Sequence, residues 1–202
     1  VSDVSEGHPL CEAFITACEQ AGFPRTDDFN GPSQEGAGYF QLTTRNGRRW
    51  STARGYLKAA RKRHNLAVMS NAIATRILFE GRRATGVEYR KDGGTHVARA
   101  QAEVILSGGA FNSPQLLQLS GVGPADLLRQ HGIEVIADMA GVGADLQDHY
   151  QARFNYRCAE AITINDMMNS VRGRIAAGLR VTLFRKGFLT VGAGYAGGFF
   201  KT

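Results

Sequence analysis

Gly108 and Gly109 are the residues of this sequence best suited to close contact with a ligand. Neither has a Cβ atom, so the backbone can turn tightly or approach another molecule there. The pair follows the apolar run Val104-Ile105-Leu106 and precedes a leucine-rich segment. In an open α/β sheet, ligands gather at the carboxyl ends of strands. The pattern predicts a ligand-binding turn; the alternative is that the glycines only serve the bend of the chain.

The elements that must position this turn lie within residues 104–123. The β-branched run Val104-Ile105-Leu106 is typical of a strand buried on both faces of a parallel sheet. Ser113 is predicted to cap the helix that follows, with Pro114 at its first helical position. Gly121 is predicted to end that helix. The segment therefore reads as strand, glycine turn and helix.

Two further patterns are candidates for chemistry. Asp148 and His149 place an acid beside an imidazole, which suits proton transfer, although a structural role is the favoured interpretation. The residues from Gly192 to Gly197 satisfy the GxGxxG spacing of dinucleotide-binding loops. That motif needs a preceding strand, a following helix and an acidic residue about twenty positions later. Since the chain has only five residues after Gly197, we interpret the match as accidental.

A basic stretch covers residues 45–63. It contains eight cationic residues and no Asp or Glu, within a chain of net charge +6. Its cations are Arg45, Arg48, Arg49, Arg54, Lys58, Arg61, Lys62 and Arg63. A stripe of this kind can bind phosphates, but no nucleic-acid-binding motif or interleaved aromatic residues accompany it. The interpretations left open are a solvated helix face, an anion-facing wall and, less favoured, a nucleic-acid site.

The remaining pattern is a mixture of helices and strands. Helices are predicted over Pro9–Ala21, from Ser51 to about Lys62, from Pro124 to Gly132, and within 167–186. Strands are predicted over 66–70, 71–80, 133–137 and 153–157, with a hairpin of 83–90 and 96–100 around Lys91-Asp92-Gly93-Gly94. Residues 25–47 are predicted to have little regular structure.

Composition limits the class of protein. The 202 residues are 43% hydrophobic, enough for one large or two small domains. No apolar run is long enough for a membrane span, and no signal peptide is recognisable. Three cysteines without a CxxC motif favour a reducing cytoplasm. The five histidines are scattered, so no metal site is predicted.

The helix segment carries a family resemblance. Residues 109–117 read GAFNSPQLL and continue into SGVGP at 120–124. This order resembles a signature of the glucose-methanol-choline (GMC) oxidoreductases, which use a flavin. Four shorter motifs on either side also lie in the family's order: RWSTA at 49–53, GVEY at 86–89, GVG at 141–143 and LQDH at 146–149. The resemblance covers nearly the whole chain, and its choline dehydrogenase-like branch is the most similar.

The resemblance implies a mixed α/β (α+β) fold. Residues 1–150 would form part of an FAD-binding Rossmann-like domain without its N-terminal dinucleotide motif. Residues 151–202 would begin the antiparallel-sheet substrate domain. The family's catalytic histidine lies near its far C-terminus, outside this sequence. We therefore expect that this chain is a middle fragment of the enzyme. It should be inactive alone and should bind FAD weakly or not at all.

The resemblance also implies the activity of the parent enzyme. It would move hydride from a primary alcohol to FAD, with Ala74 contacting adenine through its main chain. Ala74, Gly108 and Gly109 are the predicted cofactor-binding residues; no catalytic residue is predicted. The choline branch has Glu at the position of Tyr195, so the tyrosine argues against choline itself. Besides the alcohol, other protein chains are expected partners, at faces that the missing parts of the enzyme would cover. Nucleic acid is not an expected partner. The rival function is a non-catalytic anion- or nucleic-acid-binding module using residues 45–63.

Overall fold

The protein has a mixed α/β fold with small, mostly antiparallel sheets. The structure is a computed structural model that describes residues 1–192 and 194–201. Its strands are β1 (Gly36–Tyr39), β2 (Thr44–Arg45), β3 (Arg48–Arg49), β4 (Ile73–Glu80), β5 (Arg83–Lys91), β6 (Gly94–Arg99), β7 (Val122–Gly123), β8 (Ala137–Asp138) and β9 (Ala196–Phe199). Its α-helices are α1 (Pro9–Gln20), α2 (Lys58–Ala60), α3 (Gly109–Leu119), α4 (Ala125–Gln130), α5 (Ile164–Met168) and α6 (Val171–Leu179).

Shorter helical turns complete the list of elements. Ala53–Leu57 and Arg180–Phe184 are π-helical, and Phe188–Thr190 is a 3-10 turn. None of the helices in the described part of the chain has the length and apolar character that a membrane span requires.

The chain forms two compact units. The terminal unit contains residues 1–66 and the chain from residue 155 onward, and the central unit contains residues 67–154. These are units of packing, and the domain boundary near residue 150 stays a prediction.

The terminal unit has a small core around α1. Its buried residues Ile15, Cys18 and Ala37 pack together, with Tyr39 and Ala196 against them. The His8 side chain accepts a hydrogen bond from the Leu10 amide and so caps α1. Strands β1 and β9 pair in antiparallel register, with Gly38 opposite Gly197. The first and last parts of the chain therefore share one core.

The central unit is built on the antiparallel meander β4-β5-β6. Asp92 and Gly93 connect β5 to β6 with φ values of 50° and 80°, the pattern of a type I′ turn that matches the twist of the two strands. Ile77 and Leu128 are buried at 3% and 1% exposure. The predicted hairpin is confirmed, as is the extended stretch before it.

Several other helix predictions are confirmed. Helix α1 covers the predicted range, and α4 follows Pro124 and stops before Gly132, whose φ is +67°. Helix α3 stops just before Gly121, which has φ +87°. The helical segment predicted within 167–186 becomes α6 and its π-helical turn, with α5 ending at Met168.

Four strand predictions need correction. Val104-Ile105-Leu106 is not a strand, and Ile105 is 76% exposed. Residues 66–70 and 153–157 also lack strand structure, and 133–137 shrinks to the two-residue β8. A parallel strand is stable only between neighbours that satisfy its backbone groups, and the described chain gives these segments no such partners. Residues 25–47, predicted to have little regular structure, contain β1 and also β2, which pairs with β3 just beyond the segment.

Candidate functional site

The glycine turn begins helix α3 earlier than the sequence predicts. Gly108 is the N-cap and Gly109 is already helical by hydrogen bonding, with φ +85°. Ser113 does not cap the helix, and Pro114 lies inside it. Instead, the Ser113 hydroxyl accepts a hydrogen bond from the Gly108 amide at 3.0 Å. The serine fixes the turn from within the helix.

Ser120 ties the other end of α3 to the meander. Its side chain is 3% exposed. Its hydroxyl accepts a hydrogen bond from the Ile77 amide at 2.8 Å and donates one to the Leu116 carbonyl. A buried hydroxyl with both functions satisfied holds two elements in a fixed relation. Nothing in the sequence distinguishes Ser120, because a serine just after a helix is an ordinary feature.

A cleft of about 550 Å³ lies beside the turn in the central unit. The start of β4, the segment 104–108 and one face of α3 line it. Ala74 and Gly108 are lining residues, whereas Gly109 is adjacent in sequence but not in the lining. The lining residues in the described chain carry no charged side chain. Such a cleft suits a flat, uncharged ring whose polar edges can meet main-chain groups.

The Gly108 backbone is closely packed at the mouth of α3. A Cβ placed there would lie 3.2 Å from the Cβ of Asn112 and 3.3 Å from the Ser113 amide nitrogen. At Gly109 the corresponding space is empty. The two predicted site glycines are therefore required for different reasons: Gly108 for close packing and Gly109 for its backbone angle.

The Asp148-His149 pair forms a local contact at the surface. The His149 amide donates to the Asp148 carboxylate at 2.7 Å, and both residues are exposed. This contact needs no imidazole, so it does not join acid and base in a proton-transfer pair.

The accidental GxGxxG match ends in a strand. Gly197 belongs to β9, which pairs with β1, so no helix follows the motif as a dinucleotide site would need. Ala193 of that match lies outside the described residues.

Tyrosine side chains hold the N-terminal segment of the terminal unit. The Tyr195 hydroxyl donates to the Glu6 carbonyl at 3.0 Å, and the Tyr39 hydroxyl accepts from the His8 amide at 3.1 Å. Burial raises the pKa of both phenols above the usual value of 10.0. Both tyrosines therefore stay neutral near pH 7.

Glu12 and Arg25 form an exposed ion pair of 3.2 Å beside Tyr39. Hydrogen bonding from Arg25, and next from Tyr39, holds the pKa of the Glu12 carboxyl below its usual 4.5. Burial, and then the neighbouring Glu12, raise the pKa of the Cys11 thiol. A raised thiol pKa lowers the thiolate fraction and so the reactivity of this cysteine.

The basic stretch forms an exposed surface of the terminal unit. All eight of its cations are exposed, and none makes an ion pair with another described residue. Arg45 stacks its guanidinium over Trp50, 5.0 Å from the ring centroid. The β2-β3 hairpin and the helical turns from Ala53 to Ala60 carry most of these cations.

Comparison with known proteins decides the family. The family model described as GMC oxidoreductase matches residues 1–151. The chain belongs to this family. Mouse mitochondrial choline dehydrogenase is 48% identical over 179 residues, which cover 89% of this chain and 30% of that protein. The oxygen-dependent choline dehydrogenase of Pseudomonas savastanoi pv. phaseolicola is 52% identical over 160 residues, or 78% of this chain and 28% of that protein.

A solved structure agrees with the family assignment. A formate oxidase from Aspergillus oryzae, studied for the effect of a mutation on FAD modification, matches with a TM-score of 0.81 and 25% identity. The match covers 98% of this chain and 34% of the oxidase. The chain spans about 30% of the length of the choline dehydrogenases that it matches.

Proposed function

We propose that this chain is part of an FAD-dependent oxidoreductase that oxidises the CH–OH group of a small primary alcohol. The observation that carries the proposal is the uncharged cleft at Ala74 and Gly108 in a chain of the GMC family. The names of the relatives, choline dehydrogenases, support an alcohol substrate. The activity is that of the whole protein, of which this chain supplies supporting elements.

Within that function, the cleft would hold the adenine end of FAD. Its lining offers main-chain groups of β4 and of residues 104–108, and apolar side chains for stacking. Ala74 would meet the ring edge through its backbone, and Gly108 and Gly109 would let α3 begin close to the cofactor. The cofactor, when bound, supplies the hydride acceptor. The chain itself positions the cofactor, a role on which catalysis depends strongly.

The cofactor proposal is tested by nuclear magnetic resonance of the 202-residue chain. Adenosine is expected to shift the amide signals of Ala74 and Gly108, whereas riboflavin, which lacks adenine, is not. Ala74→Trp should fill the exposed mouth of the cleft and weaken adenosine binding. Val97→Trp, on β6 and outside the lining, is the matched control. Equal shifts with riboflavin, or equal binding by both variants, would contradict the assignment.

The oxidation is tested with the longest natural protein that contains this chain. Under anaerobic conditions, a primary alcohol should bleach the flavin absorption band. Choline and neutral primary alcohols of similar size are compared, because Tyr195 provides no carboxylate for a cationic substrate. Flavin that stays oxidised with every alcohol would reject the proposed reaction.

Anion binding by the basic stretch is a second candidate function. The eight cations favour it, because they are exposed and no carboxylate of a described residue forms an ion pair with them that would compete with an added anion. A salt-sensitive complex with inorganic phosphate or RNA, lost when Arg61, Lys62 and Arg63 become Gln, would support it. The same three-charge change at Arg82, Arg172 and Arg174 is the control.

Association between copies through the exposed apolar segment is also proposed. Ile105 and Phe111 are 76% and 75% exposed in the central unit. Exposed apolar patches of this kind promote contact with another chain. Ile105→Ser should lower the sedimentation coefficient of the sample if copies associate there.

A cytoplasmic location stays a proposal, supported by three free cysteines.

A further inference from the structure

The terminal unit contains a second cavity, separate from the cleft beside α3. Its volume is about 330 Å³, near the lower end of the roughly 300–1,000 Å³ of small-molecule pockets. Its walls come from the segment Glu6–His8, from α5 and α6, and from residues 186–189 with Tyr195.

Much of the lining of this cavity is apolar, and this part is called the floor. Ile164 and Met167 contribute from α5, Ala177 from α6, and Phe188 from the 3-10 turn. Ala177 is only 6% exposed. A floor of this kind favours a hydrocarbon or aromatic body, since burial of apolar surface stabilises the complex.

The charged groups at the rim select the sign of a ligand. The Glu6 carboxylate is occupied by the Arg180 guanidinium at 2.6 Å. Lys186, also in the lining, is exposed and forms no ion pair with a described residue. The charges that line the cavity therefore sum to a positive value, with Lys186 available. A cationic head group would be repelled by this excess positive charge, because the Glu6 carboxylate that could attract it is already paired with Arg180.

His8 and Tyr195 add neutral polar groups. The Nδ1 atom of His8 accepts from the Leu10 amide, so in the neutral ring Nε2 carries the proton and can donate. The Tyr195 hydroxyl donates to the Glu6 carbonyl and keeps its oxygen free to accept. The rim thus combines one available cation with hydrogen-bonding groups.

We propose that this cavity binds a small apolar carboxylate, with its hydrocarbon body on the α5-α6 floor and its carboxylate at Lys186. The cavity includes Tyr195, the residue used above to argue against a cationic alcohol substrate, but binding of the carboxylate does not require the flavin. It needs only the terminal unit, and its ligand does not have to react.

Isothermal titration calorimetry of the 202-residue chain tests the proposal with three probes of one shape. These are 4-phenylbutyrate, the neutral 4-phenylbutanol and the cationic 4-phenylbutylammonium, which share a phenyl ring and a four-carbon chain. The carboxylate is expected to bind about tenfold more tightly than the ammonium probe, because like charges at a site are unfavourable. No carboxylate binding up to millimolar concentration, or equal binding of the cation, would overturn the proposal.

Variants locate the binding. Lys186→Gln should weaken binding of the carboxylate about two- to fivefold, as expected for a solvated ion pair, and leave the alcohol unchanged. Arg174→Gln, on α6 but outside the lining, is the charge control. Ala176→Phe, at an exposed lining position, should abolish binding of both the carboxylate and the alcohol while the melting temperature stays unchanged. Equal effects of Lys186→Gln and Arg174→Gln, or binding that survives Ala176→Phe, would reject this cavity as the site.

Discussion

Two glycine-rich parts of the molecule use the same residue for opposite physical reasons. In the central unit, Gly109 has φ +85° and open space where a Cβ would lie. In the terminal unit, a Cβ on Gly197 would overlap the ring of Phe40, and one on Gly38 would overlap the main-chain oxygen of Thr26. The first glycine is required by the backbone angle and the others by lack of space. A glycine pattern in a sequence does not distinguish these two requirements.

The largest effect is expected from Gly38→Ala. The added methyl group meets a main-chain oxygen, which cannot rotate away, so the β1-β9 pair must shift. We expect the free energy of unfolding to fall by about 3 kcal/mol, the upper part of the range for overpacking. Urea denaturation followed by fluorescence of Trp50, the only tryptophan in the chain, reports on this unit.

Gly178→Ala is the matched control in the same unit. Gly178 lies in α6 and has nothing near its Cβ position, so alanine should stabilise the helix by about 0.5–1 kcal/mol. Loss of stability in both variants would show that lack of space does not explain Gly38.

Ser120→Ala should produce the next largest effect, in the central unit. The change leaves the buried Ile77 amide without its acceptor, which costs about 1–3 kcal/mol. Thermal unfolding followed by circular dichroism measures the loss, and hydrogen exchange at the Ile77 amide should accelerate. Ser107→Ala changes an exposed residue in the lining of the cleft beside α3. It should change the free energy of unfolding by no more than about 0.5 kcal/mol. A silent Ser120→Ala would mean that α3 is held by other contacts.

Gly109→Ala should have a smaller effect than Gly38→Ala. No atom obstructs the new methyl group, and only the positive φ opposes it. We expect a loss of about 1–2 kcal/mol in the same thermal unfolding experiment. Gly141→Ala, in the same unit with open space and no positive φ, should be nearly neutral. A larger loss for Gly109→Ala than for Gly38→Ala would reverse the comparison.

The smallest effect concerns pH and the Glu12-Arg25 pair. Because the folded pKa of Glu12 is lowered, its stabilising contribution is present above about pH 4.5 and disappears as pH falls through the folded pKa. The melting temperature of the native chain should exceed that of Glu12→Gln slightly at pH 6 and converge with it near pH 3. Glu19→Gln, on the same helix, is the charge control. A gap that widens on acidification would contradict the sign.

Local signals in the sequence predicted the local elements well. Pro9 marks the start of α1, Asp92-Gly93 lies at the turn of the predicted hairpin, and Gly121 ends α3. Each of these depends on interactions within a few residues, which the sequence displays directly.

The predictions that depend on distant partners were less successful. Val104-Ile105-Leu106 has strand composition, yet a strand forms only where a neighbour pairs with it, and composition does not identify neighbours. Strand β1 was missed for the same reason, because its partner β9 lies at the other end of the chain. Ala74 and Gly108 do line one cleft, but their role as cofactor-binding residues stays a prediction.

The pairing of β1 with β9 has a consequence for synthesis of the chain. Gly36 must find Phe199, so the terminal unit cannot close until the chain has been synthesised through β9. The meander of the central unit joins neighbouring strands and can form earlier, since local contacts require little loop closure. Until β9 arrives, α1 and β1 expose apolar side chains and an open strand edge, the surfaces through which incomplete chains aggregate. The interval between these two events is when a chaperone would have most to protect.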